Sequence, residues 1–263
     1  MTTPIYADLA AVGLRLDVDG PVATVTLDRP QVRNAQTPQM WLALAEIGEA
    51  IPDDVRVVVV TGEGETFSAG LDRTMLDPTN ADSGVLQLLG MSDEEAADRI
   101  GEFQRGFTWL RDPRFVSIAK VRGYAVGAGF QLALSCDLRV VAEDAKFSMK
   151  EAALGLVPDL TGTKPLVEHV GYARALEICA TARVVGAEEA VAIGLAHRVV
   201  PADQLDGAVT ELAAALSAPM PDVVSETKRL LQGAAGRDLD EQRRLEREAQ
   251  MRRFRGVAAA LGG

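Results

Sequence analysis

Residues 123–137 read GYAVGAGFQLALSCD. Three glycines fall within the first seven positions, and the segment then turns apolar, with Gln131 its first polar residue. Glycine lets the backbone bend through positive φ and approach a ligand closely. Residues 130–135 behind the glycines read as a short buried helix, and VSIAKVRG (116–123) in front of them reads as a strand. The glycines therefore sit between a strand and a helix N-terminus, where free N–H groups and the helix dipole favour negative charge.

Upstream the pattern recurs. VRVVVVTG (55–62) is a buried strand by its β-branched density, and it also leads into a glycine-bearing turn, GEGETFSAGLD (62–72). Before it, LRLDVDGPVATVTL (14–27) alternates around Asp19-Gly20 and predicts a hairpin. Thr37-Pro38 reads as an N-cap followed by proline at the first helical position, with Met40, Trp41, Leu44 and Ile47 at helical spacing to about Ile51. Ser92 and Glu95 form a capping box for a helix towards Leu110, whereas Thr74 to Gly90 reads as a loop. DLRVVAEDAKFSM (137–149) predicts two short strands. Beyond about Val200 only helical patterns remain, including the charged run RDLDEQRRLEREAQMRRFRG (237–256). The expected class is α/β, with extra short strands rather than a strict βαβ series. The expected division is a core over residues 1–200 and a C-terminal helical region over 201–263.

The bulk properties narrow the function. The chain has 263 residues, 48% hydrophobic and 25% charged, as expected of a globular protein. A net charge of −11 argues against nucleic acid or an anionic membrane as partner, so an anionic ligand would be met locally. No apolar run approaches the ~18–20 residues of a membrane span, and the N-terminus lacks the features of a secretory signal, so the cytoplasm is the expected location. Cys136 and Cys179 sit in apolar periodic segments and read as packed thiols.

Competing motifs fail. Neither glycine turn fits the dinucleotide fingerprint, and no phosphate-loop lysine is present. A hydrolase elbow needs glycine where Thr66 stands before Ser68. His169 and His197, the two histidines, read as packing or surface residues, and no metal-ligand spacing occurs, so no metal is expected. Two glycine turns, each after a buried strand, suit a pair of converging backbone donors, although each alone reads equally as an ordinary turn.

The segments RPQVRNA, VVVVTGEGETFSAGLD, VRGYAVGAGFQLALSCDLRVVAEDAKFSM, EAALGLVPDLTGT and AEEAVAIGLAHRVV, in this order, resemble the enoyl-CoA hydratase/isomerase (crotonase) family over roughly residues 10 to 230. The resemblance implies a spiral of β–β–α units, a C-terminal helical region used in oligomerisation, and a homotrimer or dimer of trimers. It implies an acyl-CoA thioester substrate, with coenzyme A part of that substrate and no further cofactor. The thioester oxygen would be held by the N–H groups of Ala69 and Ala128. The substrate would run along Ser68, Gly70, Leu71, Asp72 and Gly127, with Arg29, Arg33 and Arg73 as candidates for the phosphates. Met75, Leu76, Leu86, Leu88, Leu89 and Met91 are candidates for an acyl pocket, and Lys228 and Phe254 for contact with a neighbouring subunit's ligand.

One position departs from the family pattern. Hydratases of the family usually carry two glutamates sharing one water; Glu151 occupies the second position, but Gln131 occupies the first. An amide orients a water or a substrate but has no titratable proton. Asp159, eight residues after Glu151, stands where the resemblance marks a dienoyl-CoA isomerase branch; it reads equally as the cap of a turn or of a helix near Thr161-Gly162. The expectation is an acyl-CoA enzyme with Glu151 as acid/base, for hydration or isomerisation. The alternatives are a dienoyl-CoA isomerase using Glu151 and Asp159, or a protein that binds acyl-CoA without catalysis.

Overall fold

The computed structural model describes residues 9–77, 79, 84–220 and 222–261. Strands β1 (Leu14–Asp19) and β2 (Val22–Leu27) form the expected antiparallel hairpin. Its register pairs Asp19 with Val22, so the loop is Gly20-Pro21 rather than Asp19-Gly20. Thr37 caps α1 (Pro38–Ala50) by accepting from the Met40 N–H, and Pro38 takes the first turn, where its missing N–H costs nothing. Next come β3 (Val57–Gly62), the short helix α2 (Gly84–Leu89) and α3 (Asp93–Thr108), which opens on the expected Ser92–Glu95 capping box. α2 stands within the segment read as a loop, because six residues, the first of them a glycine, carry too little periodic signal to identify a helix.

β4 (Val116–Val121), β5 (Tyr124–Val126) and α4 (Ala128–Ser135) follow, then β6 (Leu138–Ala142) and β7 (Lys146–Ser148). The chain continues through α5 (Thr163–Val170), α6 (Tyr172–Thr181), β8 (Val185–Gly186), α7 (Ala187–Ala192) and β9 (Arg198–Val200). It ends in α8 (Leu205–Ser217), α9 (Val223–Gly233) and α10 (Leu239–Leu261).

The main sheet runs β1-β2-β3-β4-β6-β9, parallel from β2 onwards, and a smaller sheet runs β5-β7-β8. The unbroken valine run of β3 follows from burial on both faces. Val58 and Val60 join the core beneath α1, α3 and α4, with Met40, Leu44, Phe107 and Phe130. Val57 and Val59 face the other way and pack with Ile118, Val140, Leu205 and Val209, so α8 covers the second face.

Single bridges extend the small sheet into the loops: Ser68 pairs with Ala125 of β5, and Gln36 with Leu71, both in parallel. The first glycine turn is thus clamped between residues 34–36 and β5, directly in front of α4.

Candidate active site

Peptide geometry decides which amides of the first glycine turn are available. All peptide bonds among the described residues are trans, so each N–H points opposite the carbonyl of the preceding residue. The Ser68 carbonyl accepts from the Val126 N–H at 3.0 Å, and the Ala69 N–H accordingly points away from β5 and donates to the Arg33 carbonyl at 2.9 Å. The expectation that Ala69 holds a thioester oxygen is therefore corrected, because its amide is already used inside the protein.

Two residues later the situation reverses. The Gly70 carbonyl accepts from the Gln36 N–H at 2.7 Å, so the Leu71 N–H points away from Gln36, and no acceptor for it occurs among the described residues. This reversal requires Gly70, which sits at φ 88°; a Cβ there would lie 2.4 Å from the Val126 carbonyl oxygen and 3.5 Å from the Ala128 nitrogen. The same close approach brings Gly70, which precedes Leu71, against the Ala128 amide.

Ala128 is the first residue of α4, behind Gly127 at φ 52° and ψ −121°. The Gly127 carbonyl accepts from the Gln131 N–H at 2.9 Å, which directs the Ala128 N–H out of the helix, again with no acceptor among the described residues. Leu71 and Ala128, from the two glycine turns, are the free donors at this spot.

Both line one cavity of about 990 Å3, with Trp41, Phe103, Gln131, Glu151 and Asp159 also on its walls. Trp41 and Phe103 meet at 5.4 Å between ring centroids, and the Trp41 indole N–H is taken by the Gln36 side chain, leaving carbon surface for a ligand. Met75, Leu76, Leu88 and Leu89 line the cavity as expected, whereas Leu86 and Met91 are not among its lining residues. Lys150, Trp41, Ile100 and Phe103 also line the cavity, and no local sequence signal marks them for that role. In the sequence Trp41 is part of an apolar helical face, and that periodicity does not distinguish a core-facing ring from a cavity wall.

Glu151 lies on a short 3-10 turn (Lys150–Leu154) and is 8% exposed. Its Oε1 accepts from the Gln131 amide at 2.7 Å, while its Oε2 is buried without a hydrogen-bond partner among the described residues. Burial raises its pKa above the usual glutamate value; the Gln131 hydrogen bond opposes the shift, and the Asp159 charge adds to it. A Cβ on Gly127 would come within 3.4 Å of Glu151 Oε1, so the carboxyl sits against the turn that presents the Ala128 amide.

Asp159 reaches the same cavity from its exposed rim, and its carboxyl is raised by the desolvation it meets there. It does not cap α5: Gly162 is the N-cap, with no side-chain bond.

Other expected site residues have different duties. Ser68 is fully buried; its hydroxyl donates to the Asn34 carbonyl and accepts from the Gln36 side chain and the Gly70 N–H, so it shapes the turn and does not line the cavity. Arg29 is committed to Asp72 Oδ2 at 2.9 Å and the Ala35 carbonyl at 2.7 Å, bracing the loop, and Asp72 also caps the turn at Thr74. Arg33 is exposed outside the cavity lining, and only its carbonyl contributes to the turn. Arg73 is the one of the three arginines that lines the cavity, and Gly70, Leu71 and Gly127 line it with Arg73.

Lys228 is buried and donates to the Asp112 and Phe115 carbonyls and to Asp137, which corrects its reading as a ligand contact. Phe254 is exposed on α10. His169 packs against the buried Arg139 at 2.8 Å and is pushed down to about 4, chiefly by burial. Among the described residues no group of His, Cys, Asp and Glu is suited to hold a metal ion.

Comparison with known proteins gives the family of the chain. The enoyl-CoA hydratase/isomerase family model matches residues 17–256. A peroxisomal Delta(3,5)-Delta(2,4)-dienoyl-CoA isomerase from Arabidopsis thaliana is 31% identical over 234 residues, spanning 88% of this chain and 84% of the relative. A carnitinyl-CoA dehydratase from Salmonella arizonae is 34% identical over 250 residues, 93% of this chain and 89% of the relative. A crystal structure of a Thermobifida fusca protein assigned to the enoyl-CoA hydratases, in complex with acetoacetyl-CoA, superposes with a TM-score of 0.91 at 49% identity, covering 97% of this chain and 100% of that one. The chain belongs to the enoyl-CoA hydratase/isomerase family.

Proposed function

We propose that the protein moves a double bond in an enoyl- or dienoyl-CoA thioester, with an enolate held by the Leu71 and Ala128 amides. The observation that carries this reading is that Glu151, whose Oε2 is buried and unpartnered, lines the same cavity as those two free donors. The acetoacetyl-CoA complex of the Thermobifida fusca relative supports an acyl-CoA thioester as the occupant.

Removing the Cα proton of a thioester leaves an electron pair delocalised onto the carbonyl oxygen. Two preorganised donors stabilise that charge, each typically worth ~10²- to 10³-fold in rate. Glu151, against the Ala128 turn, takes the Cα proton. The electron pair then shifts along the conjugated chain, and Asp159 delivers a proton to the remote carbon, so a double bond has moved with no atom gained or lost. The two carboxyls end with their protonation states exchanged; once the product leaves, Asp159, at the exposed rim, takes a proton from solvent and Glu151 releases its proton to water entering the cavity. Isomerisation is favoured over hydration because position 131 offers an amide while the wall carries a further carboxyl, Asp159; Asp77, also on the wall, is engaged by Thr79.

The reaction uses no cofactor beyond the coenzyme A of the substrate. Assembly as a trimer or dimer of trimers through the helices after Val200 belongs to the same proposal, supported by the exposed apolar residues Leu231, Leu239, Met251 and Phe254. So does a cytoplasmic location; no helix among the described residues is long and apolar enough to cross a membrane.

The test is a panel of 2-enoyl-, 3-enoyl- and 3,5-dienoyl-CoA esters followed by ultraviolet absorbance. Gain of conjugated absorbance from 3-enoyl esters, or its red shift from 3,5-dienoyl esters, is the expected result. Loss of 2-enoyl absorbance with a hydroxyacyl product assigns hydration instead. Tight binding with no turnover of any ester leaves a binding protein.

A further inference from the structure

Gln131 is fully buried in α4, and its carboxamide has three partners. Its oxygen accepts from the backbone N–H groups of Leu160, at 2.9 Å, and Gly162, at 3.2 Å. Two N–H donors on one end fix the amide orientation, since the NH2 end cannot accept. The NH2 is thereby directed at Glu151 Oε1, 2.7 Å away. One side chain therefore holds Glu151 from one end and, from the other, the backbone immediately after Asp159.

We infer that Gln131 is the positioning residue of the carboxyl pair: it locks Glu151 Oε1 as an acceptor, leaves Oε2 to exchange the substrate proton, and sets the spacing to Asp159. This rests on the proposed isomerase reading and deepens it.

The choice of an amide follows from proton counting. A glutamate at 131 would keep one oxygen on the Leu160 and Gly162 amides and turn its other oxygen to Glu151 Oε1. Two acceptors would then face each other at hydrogen-bonding distance, and the contact would require an extra proton. The carboxyl accepting two N–H bonds is the better stabilised as an anion, so Glu151 would carry that proton. The amide keeps the contact without that proton and leaves Glu151 free to ionise.

The test measures exchange of the acyl-CoA Cα proton with deuterium by NMR against pH, for the wild type, Gln131→Glu and Gln131→Leu. Exchange needs only the base and the enolate donors; migration of the double bond, measured alongside, needs Asp159 as well. In Gln131→Glu the acidic limb of the exchange profile moves up by about one pH unit or more, while KM for the ester changes little. In Gln131→Leu exchange falls about 10²-fold, the scale expected for a base displaced by roughly an ångström. If the leucine variant fails to fold because the Leu160 and Gly162 amides lose their acceptor, the glutamate variant, which retains one, decides the question.

A folded Gln131→Glu protein with an unmoved pH profile overturns the inference, as does a folded leucine variant that exchanges at the wild-type rate. Wild-type protein that neither exchanges nor isomerises any ester refutes the functional reading itself, and this inference with it. Wild-type exchange without migration refutes the isomerase reading and the pairing with Asp159, and with them the inference that Gln131 positions a carboxyl pair.

Discussion

Replacing Ala128 with proline is expected to remove one of the two proposed enolate donors and little else. Ala128 is the first residue of α4, where a proline is tolerated because its N–H has no partner within the helix. Gly127 in front of it, at ψ −121°, lies outside the helical region that a following proline forbids. No protein hydrogen bond of the Ala128 N–H is lost among the described residues. Stability is expected to stay within about 1 kcal/mol of wild type, with part of any loss offset by the restricted unfolded chain. The rate of Cα-proton exchange, in contrast, is expected to fall ~10²- to 10³-fold, or about 2.7–4 kcal/mol in activation free energy. The assay pairs chemical denaturation with the deuterium-exchange rate at saturating ester, so that weaker binding beside the new ring does not imitate the effect. A folded Ala128→Pro protein with wild-type exchange at saturation would refute the assignment of this amide to the developing charge.

Other variants separate the remaining roles. Glu151→Gln is expected to abolish exchange and yet raise the melting temperature at neutral pH. Burial raises the Glu151 pKa, so its contribution to stability is fully present below about the ordinary value of 4.5 and is lost as pH rises through the folded value. The stabilising effect of Glu151→Gln should therefore vanish near pH 4 and grow upwards, and a difference independent of pH would contradict the cause given for the shift. Asp159→Asn is expected to lose double-bond migration by about 10²-fold while keeping Cα exchange, and full migration in this variant would remove Asp159 from the mechanism. Gly70→Ala meets the Val126 carbonyl at 2.4 Å and forces an L-residue to φ 88°; a cost of at least ~1–2 kcal/mol in denaturation and a parallel loss of exchange are expected. Unchanged exchange there would show that the Leu71 amide does not depend on this turn.

The features legible in the sequence are those whose physics is local. The Thr37-Pro38 start of α1, the Ser92–Glu95 box of α3 and the β-branched run of β3 each depend on residues within one turn or one strand of each other. Glu151 is legible as a candidate acid/base through its place in a family pattern, and the two glycine turns through the backbone freedom they confer. What only the tertiary structure decided depends on distant partners. Ala69 is consumed by the Arg33 carbonyl and Leu71 is left free, because trans peptides clamped between Gln36 and β5 alternate their N–H directions. Arg29 and Lys228 are spent on Asp72 and Asp137, far along the chain. Gln131 looks like a lost acid in one dimension; in three it spans the space between Glu151 and the segment after Asp159, since a hydrogen bond is set by where two atoms meet and not by how many residues separate them.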